Sequence, residues 1–133
     1  MAGTPFDLRA LTRLGEHLRD GHPQMRRTRG YDHTFVLDHP GDALAVAAEV
    51  EEPVSGRTLT MLTDQPGVQF YSGNFLDGSM LLRGGVTARQ GDAFCLEPQH
   101  FPNAPNEPGF PSTVLRPGEV YRSRILLRFG VRP

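Results

Sequence analysis

HTFVLDHPGDALAVAAEVEEPVSGRTLTMLTDQPGVQFYS, residues 33–72, decides the fold class. Within it the side-chain pattern repeats every two residues rather than every three or four. Residues 43–51 place Leu44, Val46, Ala48 and Val50 on one face, with Glu49 and Glu51 on the other. That alternation is what a half-buried strand requires. Residues 33–39 alternate more weakly, and residues 57–63 mix β-branched threonines with Leu59 and Met61, a composition that suits a pleated surface. Residues 68–72 make a fourth segment. Between these runs stand three turn signals, residues 39–42 (HPGD), 53–56 (PVSG) and 64–67 (DQPG). The first of them predicts a hairpin joining 33–39 to 43–51.

The same reading extends outward. In residues 120–129, Tyr121, Ser123, Ile125, Leu127 and Phe129 share one face while Arg122, Arg124 and Arg128 share the other. This predicts a strand with one buried and one wet face. It follows a Pro-Gly turn at 116–119, and residues 93–97 (AFCLE) supply another strand. Before the first strand, Leu8, Leu11, Leu14 and Leu18 recur at helical spacing, so a short helix is expected within 7–19, and the basic stretch 19–30 reads as a solvated loop. Six or so short strands with a turn about every ten residues describe an all-β chain, an antiparallel β-sandwich or part of one. No linker divides the sequence, and 133 residues make one ordinary domain, so residues 1–133 are expected to form a single domain.

Composition narrows the function. A formal net charge of -1 removes the electrostatic attraction on which nonspecific binding to nucleic acid or an anionic membrane relies, so neither partner is expected. Cys95 is the single cysteine, which forbids an internal disulfide, and no apolar run is long enough to span a bilayer. The N-terminal residues MAGTPFDLRALTRLGEHL lack the uninterrupted apolar core of a secretory signal. A reduced, cytoplasmic location is the resulting expectation.

Residues 98–115 (PQHFPNAPNEPGFPSTVL) hold too many prolines for a helix or a central strand and form a long, stiffened loop, a kind of segment that often carries function. Glu97 stands where a strand enters it, among Phe94, Cys95, Leu96 and Phe101. That apolar setting would desolvate a carboxylate and make it a better base. The competing reading is a glutamate that only bonds the loop amides following it. Asp32, next to Gly30 and Tyr31, reads on its own as a turn former. His17, His22, His33, His39 and His100 form no HxH or HExxH pattern, so no metal site is expected. Cys95, in an apolar strand, is expected to be a buried, unreactive thiol.

Three blocks, in order, resemble the aldose 1-epimerase (galactose mutarotase) family: GTPFDLR (3–9) followed by GYDHTFVLD (30–38), then TDQPGVQFYSGNFLDG (63–78), and FCLEPQHFPNAPNEPGFPSTVLRPGEVYRS (94–123). The resemblance covers nearly the whole chain and implies the C-terminal portion of a galactose mutarotase-like β-supersandwich. Members interconvert the α and β anomers of aldohexoses such as galactose and glucose without a cofactor or metal. By that resemblance Glu97 matches the glutamate acting as general base on the C1 hydroxyl, and Asp32 matches the aspartate that accepts hydrogen bonds from sugar hydroxyls. An acid protonates the ring oxygen, the ring opens to the aldehyde, the C1–C2 bond rotates, and reclosure gives the other anomer.

Two departures qualify this. The family's general-acid histidine, in an N-H-x-Y-F-N-L type motif, and a second active-site histidine, in an L-H-G-G type motif, have no match in these 133 residues. The resemblance therefore implies a chain without the family's N-terminal part, whose isomerase activity is weak or nil alone. An aldose is the expected small-molecule partner, together with self-association or a complementing N-terminal chain. A carbohydrate-binding pseudoenzyme and a nonfunctional fragment are the alternatives. His33, within the GYDH match, is expected to point away from Asp32's face and to be structural. Asn103 stands where the family commonly has Asp, in a position that caps or turns.

Overall fold

The computed structural model describes residues 1–38 and 43–132. Two short helices, α1 (Leu14–His17) and α2 (Pro23–Thr28), precede eight strands: β1 (Asp32–Val36), β2 (Ala45–Glu51), β3 (Arg57–Thr63), β4 (Gly67–Tyr71), β5 (Asp77–Leu81), β6 (Thr87–Arg89), β7 (Cys95–Gln99) and β8 (Ile125–Val131). The strands form the sheets β1–β4–β7 and β2–β3–β8 and the pair β5–β6. The pairings of β2 with β3, β3 with β8 and β5 with β6 are antiparallel. The all-β class expected from the two-residue periodicity holds. Residues sort into two compact units, Met1–His33 with Gln69–Leu96 and Thr34–Val68 with Glu97–Pro133, each taken on its own below.

The first unit is built on Tyr31, which is 1% exposed. Its ring lies 4.7 Å from Phe70 and edge-on to Phe6, and its hydroxyl donates to the Pro5 carbonyl at 2.6 Å. Its backbone is equally engaged: the N–H donates to Ser72 Oγ at 2.9 Å, and the carbonyl accepts from Asn74 Nδ2 at 2.7 Å and from the Ser72 N–H at 3.1 Å. Gly30 permits this approach. It has φ +140°, and a Cβ there would stand 2.5 Å from Asn74 Oδ1 and 2.7 Å from Ser72 Oγ.

Residues 19–30 are not the solvated loop their charge suggested. Pro23 occupies the first position of α2, His22 Nδ1 accepts from the Gln24 N–H at 3.3 Å, and Arg29 closes the helix at φ 59°. These are ordinary start and stop devices. Met25, 1% exposed, anchors the helix in the core, while the arginines point outward. Conversely, the helix expected within 7–19 shrinks to the single turn α1. The Thr12 hydroxyl bonds the Ala10 carbonyl and Asp7 pairs with Arg9, local bonds that compete with a helix. The β5–β6 pair had no counterpart in the sequence reading; its turn runs through Gly84 and Gly85, both at positive φ.

In the second unit β2 and β3 make a hairpin across Pro53–Gly56, where the Glu52 carboxylate accepts the N–H groups of Val54 and Ser55 at 2.9 and 2.7 Å. The hairpin expected between 33–39 and 43–51 is not present, since β1 neighbours β4 and β2 pairs with β3. The tight, carboxylate-capped turn at 53–56 settles β2's partner locally. The Pro-Gly turn at 39–42 lies outside the described residues. Met61, Thr63, Gln65 and Val68 are buried here. β8 keeps the predicted alternation but not the predicted burial: all seven of its residues are exposed, including Ile125, Leu127 and Phe129. It is an outer strand of its sheet, and its apolar face has no cover among the described residues.

Burial lifts the Tyr31 phenol from 10.0 to about 12, with the charges of Asp20 and Glu16 adding to it. A proton held in the fold but released by the unfolded chain makes stability complete below about pH 10 and lost as pH rises towards 12. Since the sequence has no lysine, tyrosines dominate titration in that window. Urea midpoints should fall between pH 10 and 12, and less steeply in Tyr31→Phe. At neutral pH that variant should lose about 1–3 kcal/mol, because the buried Pro5 carbonyl loses its donor.

Candidate active site

Asp32 opens β1 directly after Tyr31, so the hydrogen bonds that fix Tyr31 also fix the backbone that carries this carboxylate. Gln69, on β4, donates from Nε2 to Asp32 Oδ1 at 2.7 Å. The sequence reading did not single out Gln69. Its signal was available only as its alternation partner, the buried Phe70, which fixes the opposite face of β4.

His33 follows a different course from its neighbour. The Asp32 N–H donates to His33 Nδ1 at 3.0 Å, and the ring packs 4.6 Å from Phe6. Burial pushes the imidazole below its ordinary 6.5, the Asp32 charge opposes this, and His22 adds to the lowering. A neutral ring accepting at Nδ1 and packed at an angle against Phe6 is a structural arrangement, with Asp32's carboxylate engaged by Gln69 instead.

Glu97 lies in the second unit, on β7. The structure corrects the desolvated setting expected for it: Glu97 is exposed, as are Phe94 and Cys95. The physical reason is the strand's own period. Cys95 and Glu97 share one face of β7, which is open, while Leu96 on the other face is half-buried. The same geometry overturns the expectation of a buried thiol, since Cys95 is free and exposed. An open carboxylate is accessible to a ligand but is not enclosed by apolar groups.

The loop after Glu97 is anchored at several points. Phe101 lies over Gly67, where a Cβ would come within 2.9 Å of its ring, and stands edge-on to Phe110 at 5.2 Å. A single 3-10 turn, Ala104–Asn106, buries Ala104. Asn103 takes φ 65°, and its Oδ1 accepts from Asn106 Nδ2 at 2.7 Å. This is the turn role expected of it, in a conformation that Asn tolerates and branched residues do not. His100 Nδ1 stands 3.0 Å from Gln65 Oε1. Among the described residues no group of three or more His, Cys, Asp or Glu side chains is placed to hold a metal, and no helix is long and apolar enough to cross a membrane.

The chain is of the β-sheet class, and comparison supplies its family. The sequence model of the aldose 1-epimerase family matches residues 1–128, and the chain belongs to that family. Human galactose mutarotase is 44% identical over 129 residues, covering 97% of this chain and 36% of the human protein. Escherichia coli aldose 1-epimerase is 40% identical over 126 residues, covering 92% of this chain and 36% of its own. The chain thus spans about a third of the length of these relatives. The crystal structure of a GalM/aldose epimerase homologue from C. elegans superposes with a TM-score of 0.68 at 28% identity, over 76% of this chain and 30% of that one.

Asn103→Val should lower stability by about 1–2 kcal/mol, the cost of forcing a branched residue into the left-handed region. Asn103→Gly and Asn103→Asp should stay within about 0.5 kcal/mol of the parent. Urea unfolding of the three variants checks this.

Proposed function

We propose that this chain supplies the base and a hydroxyl-binding group for interconversion of the α and β anomers of aldohexoses, working as one portion of a single aldose 1-epimerase domain. The observation that carries the reading is the family match over residues 1–128, which contains both Asp32 and Glu97. The open position of Glu97 supports it, because a base must come within hydrogen-bond reach of the anomeric hydroxyl. So does the Gln69 amide, which orients the Asp32 carboxylate by occupying one of its oxygens and leaves the other to accept from a sugar hydroxyl.

The reaction needs an acid at the ring oxygen as well as the base. No residue of this chain matches the two family histidine motifs, and a positioned acid or base contributes about 10² to 10⁴ in rate. The 133-residue chain alone is therefore proposed to be weak or inert, and to gain activity with a polypeptide carrying those motifs. The uncovered apolar face of β8 favours such a complementing chain, since burial there would remove apolar surface from water. Non-catalytic sugar binding is the second reading, favoured by the small share of the relatives that the chain spans.

Polarimetry of α-galactose with the chain plus an N-terminal family segment should show anomerisation, reduced about 10² fold or more by Glu97→Gln. An unchanged rate in that variant would sink the role of Glu97. Galactose shifting the NMR spectrum of the chain without turnover, even after complementation, would select the binding reading.

A further inference from the structure

The second unit holds an open cavity of about 1400 Å³ whose wall includes Asp64, Gln65, His100, Tyr121, Arg122 and Arg124. Gln65, 4% exposed, is the hub of that wall. Its Nε2 donates to Tyr121 Oη at 3.0 Å and to Ser123 Oγ at 2.9 Å, and its Oε1 faces His100 Nδ1 at 3.0 Å.

Which end of the amide faces which partner decides the chemistry of the histidine. The Gln65 side chain also hydrogen-bonds the Asp64 carboxyl, whose Oδ1 stands 3.4 Å from Ser123 Oγ. Asp64 is an acceptor only: the Arg124 N–H donates to it at 3.0 Å and holds its carboxyl below the ordinary 3.8, with the Arg124 guanidinium adding to the lowering. A carboxylate must accept from Gln65, so the NH₂ end of the amide lies on the side of Asp64 and Ser123. The carbonyl end then faces His100, and a carbonyl oxygen cannot donate. His100 must therefore carry its proton on Nδ1.

We propose that Gln65 is a positioning residue that locks His100 as the Nδ1–H tautomer, leaving Nε2 with a free lone pair beside the cavity. No described residue bonds to that Nε2. It is an acceptor of the kind that a hydroxyl or N–H group of a ligand would meet. The inference deepens the reading of Glu97 as base, on which it rests for its functional sense, because His100 is the third residue after Glu97 and its bond to Gln65 pins the chain leaving β7.

The test is a long-range ¹H–¹⁵N correlation spectrum of the imidazoles in the ¹⁵N-labelled 133-residue chain, at a pH where histidines are neutral. His100 should show a protonated Nδ1 and an unprotonated Nε2. The Nε2–H pattern in the parent chain would overturn the proposal, since it would mean that the amide presents its NH₂ group to the ring. Gln65→Met, which removes the acceptor, should shift His100 towards Nε2–H. If that variant fails to fold, Gln65→Glu keeps an acceptor in place and adds charge. It should retain the Nδ1 proton and raise the pH at which His100 titrates, against a background of Asp64, Glu119, Tyr121, Arg122 and Arg124 on the same wall. An unmoved titration midpoint in Gln65→Glu would overturn the contact. The readout needs no turnover, so a chain inert in anomerisation with a protonated Nδ1 would remove the proposed activity and leave the lock standing.

Discussion

The buried carbonyl of Tyr31 is the point on which the first unit depends. It accepts from both Ser72 and Asn74, the phenol on the same residue reaches back to Pro5, and the preceding glycine has no side chain because none fits. Three segments distant in sequence are thus joined through one residue. A buried polar network of this kind is effective only when every member is satisfied. Because Asp32 is the next residue along, its backbone inherits its placement from this packing and hydrogen-bonding constraint, and the Gln69 amide then orients its carboxylate.

Much of the fold was legible in the sequence because strand periodicity is a local property. Residues 57–63 were read as a strand and form β3 with those bounds, and the alternation at 43–51 and in the last strand marked β2 and β8. Pairing was less legible. Turn residues at 39–42 and at 53–56 gave equal signals, and it is across the second, capped by the Glu52 carboxylate, that β2 finds its partner. α2 was missed because four arginines around it suggested solvent, whereas a single methionine at its centre does the anchoring.

The site divides along similar lines. Asp32 and Glu97 are candidates by the family blocks alone, and those blocks say nothing of their surroundings. Flanking apolar residues suggested an enclosed Glu97, and period-two geometry instead turns it to the open face of β7 while its neighbour Leu96 faces the other way. Gln69 and Gln65, the two amides that organise the carboxylate and the histidine, had at most an indirect signal in strand alternation, because glutamine acquires meaning only from what its two ends touch. Their roles arise from tertiary contacts across tens of residues.

The open face of β7 also makes the protein its own reporter. Cys95 is the chain's one thiol, it is exposed, and it lies two residues from Glu97 on the same face, about 7 Å along the strand. A fluorophore or spin label attached by thiol chemistry would therefore sit beside the candidate base without any engineered cysteine. Protection of that thiol from alkylation would then register whatever comes to cover the strand, whether a sugar or another polypeptide.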